Sequence, residues 1–214
     1  MTKKVTLAEA LELLRSYAGR NVREFAPPSL VNKGSAGQIL EEAIGLRLSS
    51  DLLDFSDGEL KTNKFLKGRP AETVAITQVG HVIPEILTET PWEKTSVAKK
   101  VNSFILLPVH KDSPDPGEWK YGKAVHFNAA DYPTQYADLA RDYVSVAEQI
   151  RSAIKGSGQL HTFNGPSEYL QIRSKDSKRP DGSYNPIYVN GRQISNKNYA
   201  FYFRTNFLSS VLNA

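Results

Sequence analysis

Two acids and an amine stand close together in the stretch Asp54-Phe-Ser-Asp-Gly-Glu59-Leu-Lys61. If Asp57-Gly58 makes a two-residue turn, Ser56 faces Glu59, Phe55 faces Leu60 and Asp54 faces Lys61. Side chains alternate across a strand, so Asp54, Ser56, Glu59 and Lys61 then share one face and Phe55 and Leu60 the other. The chemistry open to such a group is phosphodiester hydrolysis. Mg²⁺ takes hard oxygen ligands, commonly one or two carboxylates completed by water and phosphate oxygens, and Asp54 and Glu59 can supply the carboxylates. A bound metal acidifies a water and offsets charge on the phosphoryl group. It also inverts the repulsion that two carboxylates exert on a phosphate. Lys61 can hold the attacking water or help deprotonate it. On these residues alone, a salt-bridged surface hairpin is the more ordinary explanation, because most exposed charge pairs are simply solvated.

Other chemistries find little support. The chain has no cysteine, which removes disulfides and thiolate zinc sites and fits a reducing compartment. His81, His110, His126 and His161 are too widely spaced for a His-x-x-x-His zinc pair. No Gly-x-Ser-x-Gly elbow, Walker loop or dinucleotide fingerprint is present. Charge is more informative. From Leu170 onward seven basic residues (Arg173, Lys175, Lys178, Arg179, Arg192, Lys197, Arg204) meet two acidic ones, Asp176 and Asp181. That segment is +5 within a total of +4, leaving the remainder at −1. A local excess of this kind is what phosphate binding requires, although a solvated basic surface would look the same.

The elements that must position these groups read as mixed α/β. Thr6-x-x-Glu9 is a capping box before Leu7, Leu11 and Leu14, with Gly19 as a stop. A second helix is expected over about 37–48, burying Ile39, Leu40, Ala43 and Ile44. Strands are expected at 73–78, at 103–109 (nearly all apolar and so central), and at 123–127, 168–174 and 199–203. Residues 132–154 form a long amphipathic helix and 206–212 a short one. Residues 176–198, with Pro180, Gly182, Pro186 and Gly191, read as a polar loop or ribbon. With 214 residues and 40% hydrophobic content the chain supports one compact domain. No secretory leader or membrane span is evident, so a soluble cytoplasmic protein is expected.

Several blocks together resemble the MutH-like DNA endonucleases, comprising the mismatch-repair endonuclease MutH and related type II restriction enzymes. They are Gly37-Gln-Ile-Leu-Glu41, Asp54 through Thr62, Gly68-Arg-Pro-Ala-Glu72-Thr, Trp92-Glu-Lys-Thr-Ser96, Leu107-Pro-Val109, Glu168-Tyr-Leu-Gln-Ile-Arg173-Ser-Lys175 and Phe201-Tyr-Phe-Arg-Thr-Asn-Phe207. They occur in family order from about Asn32 onward, and Glu168–Lys175 is the most specific. The resemblance implies that Asp54 and Glu59 bind the catalytic Mg²⁺ and that Lys61 serves the nucleophilic water. It implies that Glu41 supports the site from an adjacent helix and that Lys100 approaches the scissile phosphate, with Lys99 as the competing position. The interval from Asp54 to Glu59 is two residues shorter than in MutH, which leaves Asp57 as an alternative metal ligand. Recognition positions of the family, which reads GATC in double-stranded DNA, fall on Lys33, Gly34, Glu72, Arg173, Lys175 and Tyr202. Arg173 has the donor geometry to contact guanine O6 and N7.

The expected architecture is a restriction-endonuclease-like mixed sheet flanked by helices. It forms a single domain over 1–214, with a catalytic lobe at about 1–110 and a recognition lobe at about 111–214. The expected activity is Mg²⁺-dependent hydrolysis of double-stranded DNA at a short site, leaving 5′-phosphate and 3′-hydroxyl ends. Because residues 176–198 and the end of the chain depart from MutH, a type II restriction enzyme is expected ahead of a mismatch-repair nickase driven by a MutL-like partner. A DNA-binding module that does not cleave is the third reading. One active site cuts one strand, so a monomer nicking twice or a dimer on DNA would serve.

Overall fold

The computed structural model describes residues 5–25, 36–46, 52–156 and 158–213. Helices α1 (Leu7–Arg15) and α2 (Ala36–Ala43) precede strand β1 (Glu59–Leu66), the short β2 (Arg69–Pro70) and β3 (Val74–Gln78). Helices α3 (Val79–Leu87) and α4 (Ser96–Asn102) lead into β4 (Ser103–His110), β5 (Lys120–Tyr121) and β6 (Val125–Asn128). The long α5 (Pro133–Lys155) is followed by β7 (Phe163–Asn164), β8 (Leu170–Ser174), β9 (Ile187–Val189), β10 (Arg192–Ser195), β11 (Tyr199–Phe203) and α6 (Thr205–Leu212). The class is mixed α/β, as the sequence pattern implies. No helix among the described residues is long and apolar enough to cross a membrane.

The chain forms two compact units that interleave along the sequence: residues 1–74, 100–132 and 209–214 make the first, and 75–99 and 133–208 the second. The first is built on a mixed sheet of order β2-β1-β4-β5, with β6 also on β4. β1 and β4 run parallel, with Glu59 opposite Phe104 and Lys61 opposite Leu106. β4 is fully buried from Phe104 to Val109, matching its expected central place. One face of this sheet, carrying Leu60, Ile105, Leu107 and Val109, packs with Leu7, Leu14, Ile39 and Leu40 of α1 and α2. Each such side chain contributes about 1.5–3 kcal/mol by leaving water. The capping box forms as expected, with Thr6 Oγ1 accepting from Glu9 N at 3.2 Å and Thr6 N donating to Glu9 at 2.8 Å.

The second unit has a four-stranded sheet, β3-β11-β8-β7, and a separate β9–β10 ribbon. α3 and α5 pack together, and α5 also covers β8. Tyr143 of α5 lies against Trp92 and Phe201, with ring centroids 5.2 and 5.7 Å away. Helix α3, with Pro84 inside it, and α4 carry no clear helical signal in sequence.

The expected hairpin at Asp57-Gly58 is not formed. Residues 52 and 54–57 make bends, and β1 begins at Glu59 and pairs with β4 and β2 instead. A two-residue hairpin turn needs positive φ at one or both central residues. Neither Asp57 nor Gly58 has it. Gly58 answers a different demand: a Cβ there would fall 2.3 Å from Leu7 Cδ1 and 2.7 Å from the Ser103 carbonyl oxygen. Positive φ occurs at Lys67-Gly68, joining β1 to β2, and at Asn190-Gly191, joining β9 to β10.

Candidate active site

Alternation along β1 puts Leu60 into the apolar cluster and Glu59 and Lys61 on the opposite face. Glu59 is 1% exposed. A carboxylate that buried must be paired, and it has two ammonium partners. Lys61 Nζ donates to Oε2, and Lys100 Nζ donates to Oε1 at 2.7 Å. Lys100 also donates to the Leu52 carbonyl. Both lysine side chains are nearly enclosed, at 12% and 14% exposed. Of the two adjacent lysines it is Lys100 that turns inward, from the last turn of α4, while Lys99 is exposed.

Asp54 is held at the mouth of the same strand, its Oδ2 accepting from Leu60 N at 2.9 Å. Asp57 is occupied elsewhere: its Oδ1 accepts from Leu7 N at 2.7 Å, satisfying one free amide at the start of α1. Of the two aspartates, Asp54 is the one tied to β1, and Asp57 the one tied to α1. Helix α2 lies against β1 closely enough that a Cβ on Gly37 would meet Thr62 Oγ1 at 3.2 Å. Glu41 of that helix is half-buried. Burial raises its carboxyl above the usual range, the Asp54 charge adds to this, and Lys61 opposes it. Asp54, Glu59, Lys61, Lys100 and Glu41 thus gather around the start of β1, all within the first unit.

The donor set suits a hard divalent cation. It offers carboxylate oxygens from Asp54 and Glu59, beside lysines that already balance a buried negative charge. No cluster of three His, Cys, Asp or Glu side chains fit to hold a metal occurs among the described residues. Mg²⁺ does not require one, because it commonly keeps several waters and takes only one or two protein carboxylates.

The recognition candidates divide between the units. Lys33 and Gly34 lie outside the described residues. Glu72 belongs to the first unit and is exposed, its carboxylate 3.4 Å from Lys64 Nζ. Arg173, Lys175 and Tyr202 belong to the second unit. The β8–β11 register sets Gln171 opposite Tyr202 and Arg173 opposite Ala200, so Arg173 and Tyr202 share a face. The Arg173 guanidinium lies 5.5 Å from the Tyr202 ring centroid, a cation–π contact on an exposed residue. Burial raises the Tyr202 hydroxyl's pKa, with Arg173 opposing, so the group remains a neutral donor. Lys175 is exposed and its backbone N–H donates to the Asn198 carbonyl at 2.8 Å, where the polar ribbon joins β11.

The Leu52 carbonyl on Lys100 was not foreseeable from sequence, because any residue offers a carbonyl. The inward turn of Lys100 had only a faint signal, its place at the end of an unrecognised helix.

No known protein-family profile matches the chain. It is 25% identical over 220 residues to the DNA mismatch repair protein MutH of Vibrio vulnificus, in strain YJ016 and equally in strain CMCP6. The match covers 97% of this chain and 92% of the relative.

Proposed function

We propose that this protein is a Mg²⁺-dependent, sequence-specific endonuclease of double-stranded DNA. The observation that carries the reading is Glu59, a buried carboxylate gripped by Lys61 and Lys100 at the start of a strand that also tethers Asp54. Its compensating partners are side-chain ammonium groups, which a ligand can displace or turn. The nearly full-length similarity to MutH supports the same reading. In it, Asp54 and Glu59 would hold the ion, which would supply an acidified water and charge neutralisation at the phosphate. Lys61, fixed by Glu59, orients the attacking water. Lys100 stands ready to pair with a non-bridging phosphate oxygen. Glu41 supports the site from α2, on the side of Asp54 and Lys61.

The first unit then acts as the catalytic part, and the second presents Arg173, Lys175 and Tyr202 to the bases and backbone of GATC or a related short site. Glu72, Lys33 and Gly34 are the recognition candidates that belong to the first unit. An autonomous type II restriction enzyme is the reading we favour, because the ribbon at 176–198 beside Lys175 departs from MutH. The name of the matched relative favours the other use, a mismatch-repair nickase.

Digestion of a sequenced plasmid separates these. With Mg²⁺ alone, the restriction reading expects double-strand ends at one short sequence, abolished by a chelator. Nicks that appear only after a MutL-like protein is added would establish the repair reading instead. Tight, salt-sensitive binding without any Mg²⁺-dependent cleavage would leave a non-cleaving module and overturn the proposal.

A further inference from the structure

Two residues beyond Lys61 on the same face of β1 stands Asn63, only 3% exposed. Its Nδ2 donates to the Glu72 backbone carbonyl at 2.7 Å. That partner can only accept, so it fixes which end of the amide points toward it. The other end, Oδ1, is buried with no hydrogen-bond partner among the described residues. An unmet buried acceptor is costly, and an aliphatic side chain would fill the same space without one. The position therefore uses one property of asparagine, its donor.

What that donor holds is the segment bearing Glu72. The neighbouring Lys64 contributes two further ties, its carbonyl accepting from Ala71 N at 2.8 Å and its Nζ standing 3.4 Å from Glu72 Oε1. Beyond these, the β1–β2 pairing sets Phe65 opposite Pro70. The ties differ in strength. The Lys64–Glu72 ion pair is solvent-exposed on the Glu72 side and contributes little. The Asn63 bond is enclosed, where a hydrogen bond is stronger and its loss more costly. Glu72 is thus an exposed carboxylate on a backbone clamped from beneath by the strand that begins with Glu59 and Lys61.

We propose that Asn63 is a positioning residue that couples sequence discrimination to cleavage. It holds Glu72 in fixed relation to β1, so that a duplex seating correctly on Glu72 also draws that strand, and with it Glu59 and Lys61, into its working position. The proposal rests on the endonuclease reading with Glu72 as a base contact, and it adds the link between that contact and the site. Asn63 touches neither substrate nor metal in this scheme.

The test is a double-mutant cycle read as discrimination. Cleavage of the cognate duplex and of duplexes with one substituted base pair is measured for wild type, Asn63→Leu, Glu72→Ala and the double variant, with thermal melts on each. Asn63→Leu should lower the ratio of cognate to substituted cleavage about tenfold, the scale of one enclosed hydrogen bond. The loss should fall at the base pair affected by Glu72→Ala, and the double variant should lose no more than Glu72→Ala alone. Additive losses, or an equal fall in cleavage for every sequence, would make Asn63 a plain structural residue and overturn the proposal. Should Asn63→Leu fail to fold, Asn63→Ser, too short to reach the Glu72 carbonyl, is read by the same criteria. If the wild type cleaves nothing, the endonuclease reading fails instead, an outcome the wild-type control separates from the other two.

Discussion

Among the described residues each unit contains one fully buried acid, and the two are compensated in opposite ways. In the first unit Glu59 is held by the side-chain ammonium groups of Lys61 and Lys100. In the second, Asp142 of α5, 0% exposed, accepts from the backbone N–H groups of Ser167, Tyr169 and Leu170 at 2.6, 2.8 and 2.9 Å. Lysine ammoniums ride on flexible stems and can be exchanged for another cation or turned toward a phosphate. Backbone amides cannot leave. The same cost of burying charge therefore serves two ends. Asp142 locks the approach to β8, the strand that presents Arg173, whereas Glu59 sits in a setting that can be rearranged when a ligand arrives. Burial alone does not distinguish scaffold from site; the mobility of the compensating partners does.

The comparison is sharpest under alanine substitution. Glu59→Ala and Lys61→Ala should each lower cleavage by about a thousandfold or more, on the scale of losing a preorganised charge at the reacting centre. DNA binding should change only a few-fold. Stability should fall as well, since each change takes a partner from a nearly enclosed charge. Near wild-type cleavage by either variant would sink the site assignment. Asp142→Ala should differ in cleavage. It should cost about 3 kcal/mol or more in denaturant unfolding, because three buried amides lose their acceptor, while the protein that remains folded cleaves at close to the wild-type rate. If the two acids proved alike in cleavage, the distinction between the units would dissolve.

A smaller effect belongs to the exposed face of the second unit. Arg173→Ala should lose about 1–3 kcal/mol of discrimination at one guanine. A uniform loss across all sequences, with a shallower salt dependence, would mark it as a phosphate contact. The smallest concerns His126 in the first unit, whose Nε2 lies 2.9 Å from Ser103 Oγ. Burial lowers its pKa below the ordinary 6.5, and Arg15 works in the same direction, while Asp131 and Asp57 oppose. A base whose folded pKa is depressed binds more protons unfolded, so stability is full above about pH 6.5 and declines as pH falls through the lower folded value. His126→Asn should flatten that decline between pH 7 and 5 in thermal melts. An unchanged slope would show that other groups set the acid response.

Much of this was legible in sequence where the signal was local or strongly periodic. The Thr6–Glu9 cap, the apolar β4, the amphipathic α5 and β11 follow the pattern closely. The shared face of Glu59 and Lys61 also followed, because alternation belongs to any strand whatever its partner. The partner itself did not. Asp-Gly is a local turn signal, while β1 pairs in parallel with a strand more than forty residues away, and nothing in a short window encodes that. The glycine at 58 was needed for closeness to Ser103 and Leu7, which a reading of turns cannot detect. The true two-residue turns, Lys67-Gly68 and Asn190-Gly191, lie in polar stretches where flanking alternation is weak. Helix α3 was masked by Pro84 and by its nearly continuous apolar run. Resemblance leaves two lysines, Lys99 and Lys100, and only the orientation of α4 shows that Lys100 is the one turned toward Glu59.

The parallel pairing of β1 with β4 also bears on how the molecule assembles. Glu59 and Lys100 meet only after a long intervening segment has been closed, an ordering step that local structure cannot hasten. Until then neither charge has its partner, and the nascent chain keeps both in water. Because Lys100 lies three residues before β4, a slip of that strand by one position would carry the lysine out of reach and turn every β4 side chain to the wrong face. The charge cluster thus doubles as a registration mark, closing only when the central strands have docked in the correct alignment.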